Sequence, residues 1–444
     1  MTTTRGTSTR VPPRTTSAPR SRPAQGGRPQ PRQQAGPTVA VIPVSRIFSA
    51  GGSDYFLLLG VTVFMVIFGL VMVLSSSTIE SYNDDGGFFG RFARQGFFAV
   101  VAIPLMLIAS RMPPTFWKRW AWPALLTGGA LQLLVFTGLG YESGGNRNWI
   151  NIGGFSAQPS EFVKIALIVW IGWVLSMKQG LLSDWKHVAL PIAPVTALAI
   201  SFVLAGSDLG TALMMILIVF GCLYFGGVKL RFLTVAAVGM ALVAYMFALA
   251  NSSRTNRISV WINGCAATDY SGYCWQPEHA KWALAAGGFF GRGLGNSVAK
   301  WNWLPAASSD YIFAIIGEEL GLIGAVVVLA LFVVLAIAFI RIIRHTRDSF
   351  ARIVTAGVMV WVIGQAFVNI AVVLGVLPVL GVPLPLVSAG GSALISTLLG
   401  IGIVLSFARR SANGPDEPVE QTPAERSRLL ASQRSASQRG AARA

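Results

Sequence analysis

Ten predominantly apolar stretches, most close to 20 residues long, recur along the chain. They lie near 55–77, 92–110, 118–138, 160–177, 188–205, 209–226, 231–250, 310–341, 350–374 and 388–408. A helix of about 20 apolar residues crosses the hydrocarbon of a bilayer. Within lipid, only helices and closed barrels satisfy every backbone polar group. The expected class is an all-α polytopic membrane protein with ten transmembrane helices and a large extracytoplasmic loop, 251–309, between helices 7 and 8. The eighth stretch exceeds a straight crossing, so part of it should tilt or project.

Charge sets the direction. With the N-terminus inside, the inner loops hold Arg111, Lys118, Arg119, Lys178, Lys186, Lys229, Arg231, Arg341, Arg344, Arg347 and Arg352. The outer loops hold fewer cations, chiefly Arg91, Arg147, Arg254, Arg257, Lys281, Arg292 and Lys300. Cations concentrate on the cytoplasmic side of membrane proteins, so both termini are expected there. No inverted repeat of the transporter kind is visible. Residues 1–48 contain no acid and no apolar periodicity, and 411–444 turn polar again. Both are expected to be disordered cytoplasmic tails flanking a membrane domain at 49–410, and the first does not resemble a signal peptide. The net charge of +17 sits in these tails and in alternate loops. It therefore writes topology and gives no sign of nucleic-acid binding, for which no basic stripe with aromatics exists.

Of three cysteines, Cys222 falls in an apolar run and is expected to pack. Cys265 and Cys274 share the large outer loop, in a compartment where a disulfide can persist; free thiols are the alternative. No zinc-ligand spacing is present.

Only 12% of residues are charged, so ionisable groups at span ends stand out. In "QPSEFVKIAL", Glu161 and Lys164 share a helix face and can pair, either to fix packing or to meet a substrate. In "GSDLGTAL", Asp208 is placed to cap a helix. In "GGFFGRGLGNSVAKWNWLPAASSDYIFAIIGEELG", Asp310 stands at a helix entrance with Arg292 and Lys300 before it and Glu318 and Glu319 beyond. A helix cap accounts for Asp310 alone; the flanking cations suit an anionic ligand. Glu318 and Glu319 are about 100° apart on a helix, so at most one is expected to face a site, the other pairing within the bundle. In "LPVLGVPLPLVSAGGSAL", prolines and the Gly390–Gly391 pair beside Ser388 interrupt an apolar run. Such backbone is tolerated at membrane depth where it is buried or lines a cavity.

Those four stretches together resemble the SEDS family (shape, elongation, division and sporulation), ten-helix peptidoglycan polymerases. The resemblance spans roughly 55–408. "GLGNSVAK" followed by "IIGEELG" is closer to its division branch than to its elongation branch. The basic N-terminal tail and cysteine pair resemble division proteins of actinobacteria. Where the family reads Leu-Pro-Glu-Ala-His-Thr-Asp, this chain reads Leu-Pro-Ala-Ala-Ser-Ser-Asp: Ala306 and Ser308 replace a Glu and a His, while Asp310 remains.

The resemblance implies a glycosyltransferase that polymerises lipid II at the outer membrane face during division. The glycan on undecaprenyl pyrophosphate is the donor and a sugar hydroxyl of lipid II the acceptor. Asp310 is then the catalytic base, or the holder of a divalent cation, Mg or Mn. Lys300, Arg292 and, more weakly, Arg257 are candidates to face the pyrophosphate. Glu161, Lys164, Ser388, Gly390 and Gly391 are further candidate substrate contacts. Asp208, Glu318 and Glu319 are candidate structural residues. The implied partners are a class B penicillin-binding protein transpeptidase and, through the tails, other division proteins at the septum. A lipid II flippase, an elongation-type polymerase and a pure scaffold are the competing expectations. Clustering of the acids and bases at one membrane face, rather than through it, disfavours the flippase.

Overall fold

The computed structural model describes residues 52–412, except 86, 144, 154, 250, 251, 266–271 and 302. The tails expected at 1–48 and 411–444 fall outside the described residues, save the helical turn that ends at Ala412.

Among the described residues the order is α1 (Ser53–Asp85), α2 (Gly90–Ala109), α3 (Pro114–Leu134), β1 (Gly140–Ser143), β2 (Asn146–Ile152) and β3 (Phe155–Ala157). There follow α4 (Pro159–Met177), α5 (Trp185–Ala205), α6 (Leu209–Gly226), α7 (Leu230–Leu249), α8 (Ser252–Asn263) and α9 (Trp275–Gly287). Last come α10 (Ile312–His345), α11 (Ser349–Val373) and α12 (Gly391–Ala412).

Eight of these helices are long and apolar enough to cross a membrane: α1, α2, α4, α5, α6, α10, α11 and α12. The chain is a multi-pass membrane protein. The other two expected spans exist as helices but fall short of that standard. α3 carries Lys118, Arg119 and three tryptophans, and α7 is counted over Leu230–Val243 alone.

α4 is apolar around its whole circumference, the mark of a helix enclosed by others. Its apolar stretch is 78% buried, against 28% for α2 and for α5. It packs on α3, α6, α11 and α12. Small residues permit this: Gly357 of α11 lies against Ile168 of α4 and the buried Cys222 of α6. Val100, Leu190 and Leu198 on the outer helices stay exposed, as lipid-facing residues do.

The expectation of an all-α fold needs one correction. Residues 140–157 form a three-stranded antiparallel sheet in the order β1-β2-β3. β2 alternates along "NRNWINI", turning Asn148 and Ile150 inward. Asn148 is satisfied there by Gln132 Nε2 (2.8 Å) and the Val203 carbonyl (3.3 Å). This polar sheet was too short to register as an element in the sequence. The loop at 251–309 likewise contains two helices, α8 and α9, joined by a disulfide between Cys265 and Cys274.

α10 does not cross as one rod. Gly321 adopts φ 69°, ψ −165°, a conformation essentially confined to glycine, and breaks the helix. The backbone groups freed by the break are taken by the loop after α9. Leu322 N and Ile323 N donate to the Gly288 and Phe289 carbonyls (2.9 and 3.3 Å). The Glu318 and Glu319 carbonyls accept from Arg292 N and Gly293 N (3.0 and 2.9 Å). A side chain at Gly291 would overlap the Glu319 carbonyl, so the glycines of this loop allow one backbone to lie directly on another.

Candidate active site

Asp310 ends a tight turn just before α10, two residues ahead of that span. The Ala306 carbonyl accepts from both Ser309 N (3.1 Å) and Tyr311 N (3.2 Å). The next three carbonyls are each gripped from outside the turn. Ser308 O accepts from Ala389 N (2.9 Å), Ser309 O from Ser388 Oγ (2.6 Å), and Asp310 O from Asn369 Nδ2 (2.7 Å). Asn369 Nδ2 also donates to Val382 O (2.7 Å), and Leu384 N donates to Ser388 Oγ (2.8 Å). Gln95 completes the frame, donating to Ser388 O (3.3 Å) and accepting from Gly390 N (3.1 Å). The proline-interrupted segment 375–390 is non-helical, and these bonds satisfy its backbone.

While its backbone is fixed, the Asp310 carboxylate has no hydrogen-bond or ion-pair partner among the described residues. It faces the Cα of Gly381; a Cβ there would lie 3.7 Å from Asp310 Oδ2. Burial first, and then the charge of Asp208, push its pKa up to about 6, with Arg257 pulling the other way. A carboxylate so tuned can hold a proton or release one near neutral pH.

Asp208 caps α6, accepting from Thr211 N and Thr211 Oγ1 (both 2.8 Å), and it also accepts from Gln158 Nε2 (2.9 Å). From α8, Arg254 donates to Ser207 O (3.1 Å). Burial and the neighbouring Arg257 lower the Arg254 pKa, opposed by Asp208. Arg257 has no ion-pair partner among the described residues. Ser207, Ala306 and Leu386 are the described non-glycine residues with left-handed backbone, at φ 68°, 57° and 67°. One adjoins Asp208, one builds the Asp310 turn and one lies in the segment that grips it. Strain of this kind gathers where a structure over-determines its geometry, as functional sites do.

The structure places Lys300, Arg292, Glu318 and Glu319 in a separate network. Glu318 accepts from Ser297 Oγ (2.5 Å), Val298 N (2.9 Å) and Ala299 N (3.2 Å) and pairs with Arg292 (3.5 Å). Glu319 accepts from Ser75 Oγ (2.7 Å) and pairs with Lys300 (3.6 Å). Lys300 is buried and also donates to the Gly295 and Ser75 carbonyls (2.5 and 3.2 Å). Both acids therefore face the loop, which wraps the broken helix.

Glu161 and Lys164 form a fully enclosed pair at 2.9 Å. Lys164 also donates to Gln365 Oε1 (3.2 Å) and lies 4.7 Å from the Trp361 ring centre. Gln365 in turn donates to Pro383 O (2.9 Å), so the pair supports the 375–390 segment from beneath. Ser388 and Gly390 are engaged in the frame above, and Gly391 packs against Phe98.

Asn369, Gln365 and Gln95 were missed in the sequence. Each is a single uncharged polar residue in an apolar run, a signal that was available. Holding a divalent cation was the alternative to Asp310 acting as the base. Among the described residues no three His, Cys, Asp or Glu side chains converge on a metal site, and the Asp208 oxygens are already committed.

A sequence family described as cell cycle protein, taking in FtsW, RodA and SpoVE, matches residues 55–413. The probable peptidoglycan glycosyltransferase FtsW of Mycobacterium tuberculosis is 38% identical over 87% of this chain and 74% of its own length. Stage V sporulation protein E of Bacillus subtilis is 33% identical over 80% of this chain and 97% of its own. Among solved structures, a chain of a peptidoglycan synthase complex aligns with TM-score 0.65 at 24% identity, over 80% of this chain and 97% of that one. The rod shape determining protein RodA of Thermus thermophilus aligns with TM-score 0.60 at 24% identity, over 81% and 98%. The helical arrangement is thus shared with both.

Proposed function

The chain belongs to the cell cycle protein family of FtsW, RodA and SpoVE, and on that premise we propose that it is a peptidoglycan glycosyltransferase of division. It polymerises lipid II into glycan strands at the outer membrane face. Relatives carrying the glycosyltransferase name support the activity. One observation carries the residue assignment: the Asp310 carboxylate, with no partner among the described residues, sits on a turn whose backbone is clamped at three consecutive carbonyls.

In this mechanism the acceptor hydroxyl of the incoming sugar approaches Asp310 from the Gly381 side. Asp310 takes its proton as the oxygen bonds to the anomeric carbon of the donor strand. The bond to undecaprenyl pyrophosphate breaks, and that group leaves with the electron pair. Arg257 is the cation placed to meet the negative charge. Lys300 and Arg292 act at one remove, by building the loop on α10. Clamping the turn keeps the base oriented without spending its hydrogen-bonding capacity.

Further parts of the proposal are ten spans with both termini cytoplasmic, location at the septum, and a class B penicillin-binding protein as partner. The basic tails meet other division proteins. The experiment is lipid II polymerisation by the purified chain with its transpeptidase, wild type beside Asp310→Asn and Asp310→Ala. Loss of glycan with partner binding retained is expected. Normal polymerisation by both variants would sink the assignment of Asp310; lipid II translocation without polymerisation by wild type would point to a flippase.

A further inference from the structure

The carbonyl grips on the Asp310 turn come from Asn369 of α11, the Ser388 hydroxyl and the Ala389 amide. One further grip acts on a side chain of the turn. The Ser308 side chain is fully buried, and its hydroxyl donates to Glu80 Oε2 at 2.8 Å. The same carboxylate oxygen accepts from Arg91 Nη1 at 2.6 Å, and that guanidinium nitrogen lies 3.4 Å from Ser308 Oγ. Arg91 N also donates to Ser81 Oγ (3.0 Å). The outer end of α1 and the first turn of α2 therefore meet at the residue two positions before Asp310.

We propose that Glu80, held by Arg91, is a positioning residue that sets the direction of the Asp310 carboxylate through Ser308. This rests on Asp310 being the base proposed above. A turn held only through its carbonyls leaves its side chains free to shift. A bond from α1 to the Ser308 side chain adds a restraint that the carbonyl grips do not supply. A hydroxyl donating to a carboxylate makes a charge-assisted bond, stronger than a neutral one. Arg91 aims Glu80 at an otherwise enclosed hydroxyl. The plain alternative is an ion pair that staples α1 to α2 and meets Ser308 by proximity.

The two accounts part on Ser308→Ala, which leaves the Glu80–Arg91 pair intact, and on Glu80→Gln, which weakens the pair but keeps an oxygen for Ser308. Polymerisation by the full chain with its transpeptidase is measured as kcat and KM, with thermal midpoints in parallel. Ser308→Ala and Glu80→Ala should each lower kcat about tenfold to a hundredfold at unchanged KM, the range that misplacing a catalytic group produces. Glu80→Gln should keep most of the activity, and the double variant Glu80→Ala/Ser308→Ala should fall no further than the worse single. Wild-type kcat in Ser308→Ala, or Glu80→Gln as poor as Glu80→Ala, overturns the proposal in favour of the staple. Asp310→Asn in the same assay separates the failures. If it is inactive while Ser308→Ala is normal, only the positioning role falls; if it is active, the assignment of Asp310 falls with it.

Discussion

Replacing Asp310 by asparagine should make the protein more stable while abolishing polymerisation. Asparagine keeps the shape and removes the charge, and the charge is what the site disfavours. Folded Asp310 titrates at about 6 against an ordinary 3.8, chiefly through burial. A raised carboxylate pKa contributes stability that is fully present below about pH 4 and is lost as pH rises through about 6. Above that, the wild type carries a penalty on the order of 3 kcal/mol, at about 1.36 kcal/mol for each pH unit between 3.8 and 6. Asp310 keeps part of its surface open, so the realised figure should be about 1–3 kcal/mol. The assay is unfolding of both proteins in the same detergent from pH 4 to pH 8. Asp310→Asn should exceed wild type at pH 8, converge through pH 6 and match it at pH 4. A variant less stable at pH 8, or a difference that does not change with pH, would refute the account of the site as a buried, unpaired carboxylate.

The remaining expectations follow from the same geometry. The rate of polymerisation should fall on the acid side with a midpoint near pH 6, as Asp310 takes up its proton. Arg257→Gln should move that midpoint upward, since Arg257 favours the ionised form; a downward move contradicts its placement. Gly321→Ala should cost about 1–3 kcal/mol and weaken detergent-solubilised protein in a thermal scan, because its backbone conformation is essentially confined to glycine. Lys164→Met should destabilise by about 3–5 kcal/mol by stranding buried Glu161, and Glu161→Gln added to it should recover much of the loss. Reduction of Cys265–Cys274, or Cys265→Ser with Cys274→Ser, should loosen the 251–275 region to proteolysis before the membrane helices respond.

The membrane helices were legible because their cause is local. An apolar run of the right length has one stable use in lipid, and the bounds at 209–226 match α6. The long eighth stretch was legible as an anomaly, and Gly321 supplies its reason. The sheet at 140–157 was not, because a short polar strand owes its existence to partners such as Gln132 and the α5 end rather than to its own pattern. The disulfide pair could be named from its compartment, and the structure joins the two cysteines.

The site divides along the same line. Asp310 stood out as a candidate because a carboxylate at a helix entrance is a local oddity. The part played by Lys300 and Arg292 was harder, because sequence shows the sign of a charge and not where it is spent. Their acids, Glu318 and Glu319, lie beyond a helix break that brings the chain back on itself. Once the break is in place the economy of charge is clear. The loop cations neutralise two buried carboxylates and the loop backbone repairs the interrupted helix. Nothing in that network reaches out to Asp310, whose turn has its carbonyls held by uncharged donors: Asn369, Ser388 and the Ala389 amide. A carboxylate on a turn held by neutral donors keeps a raised affinity for protons; paired with lysine or arginine, it would have lost it.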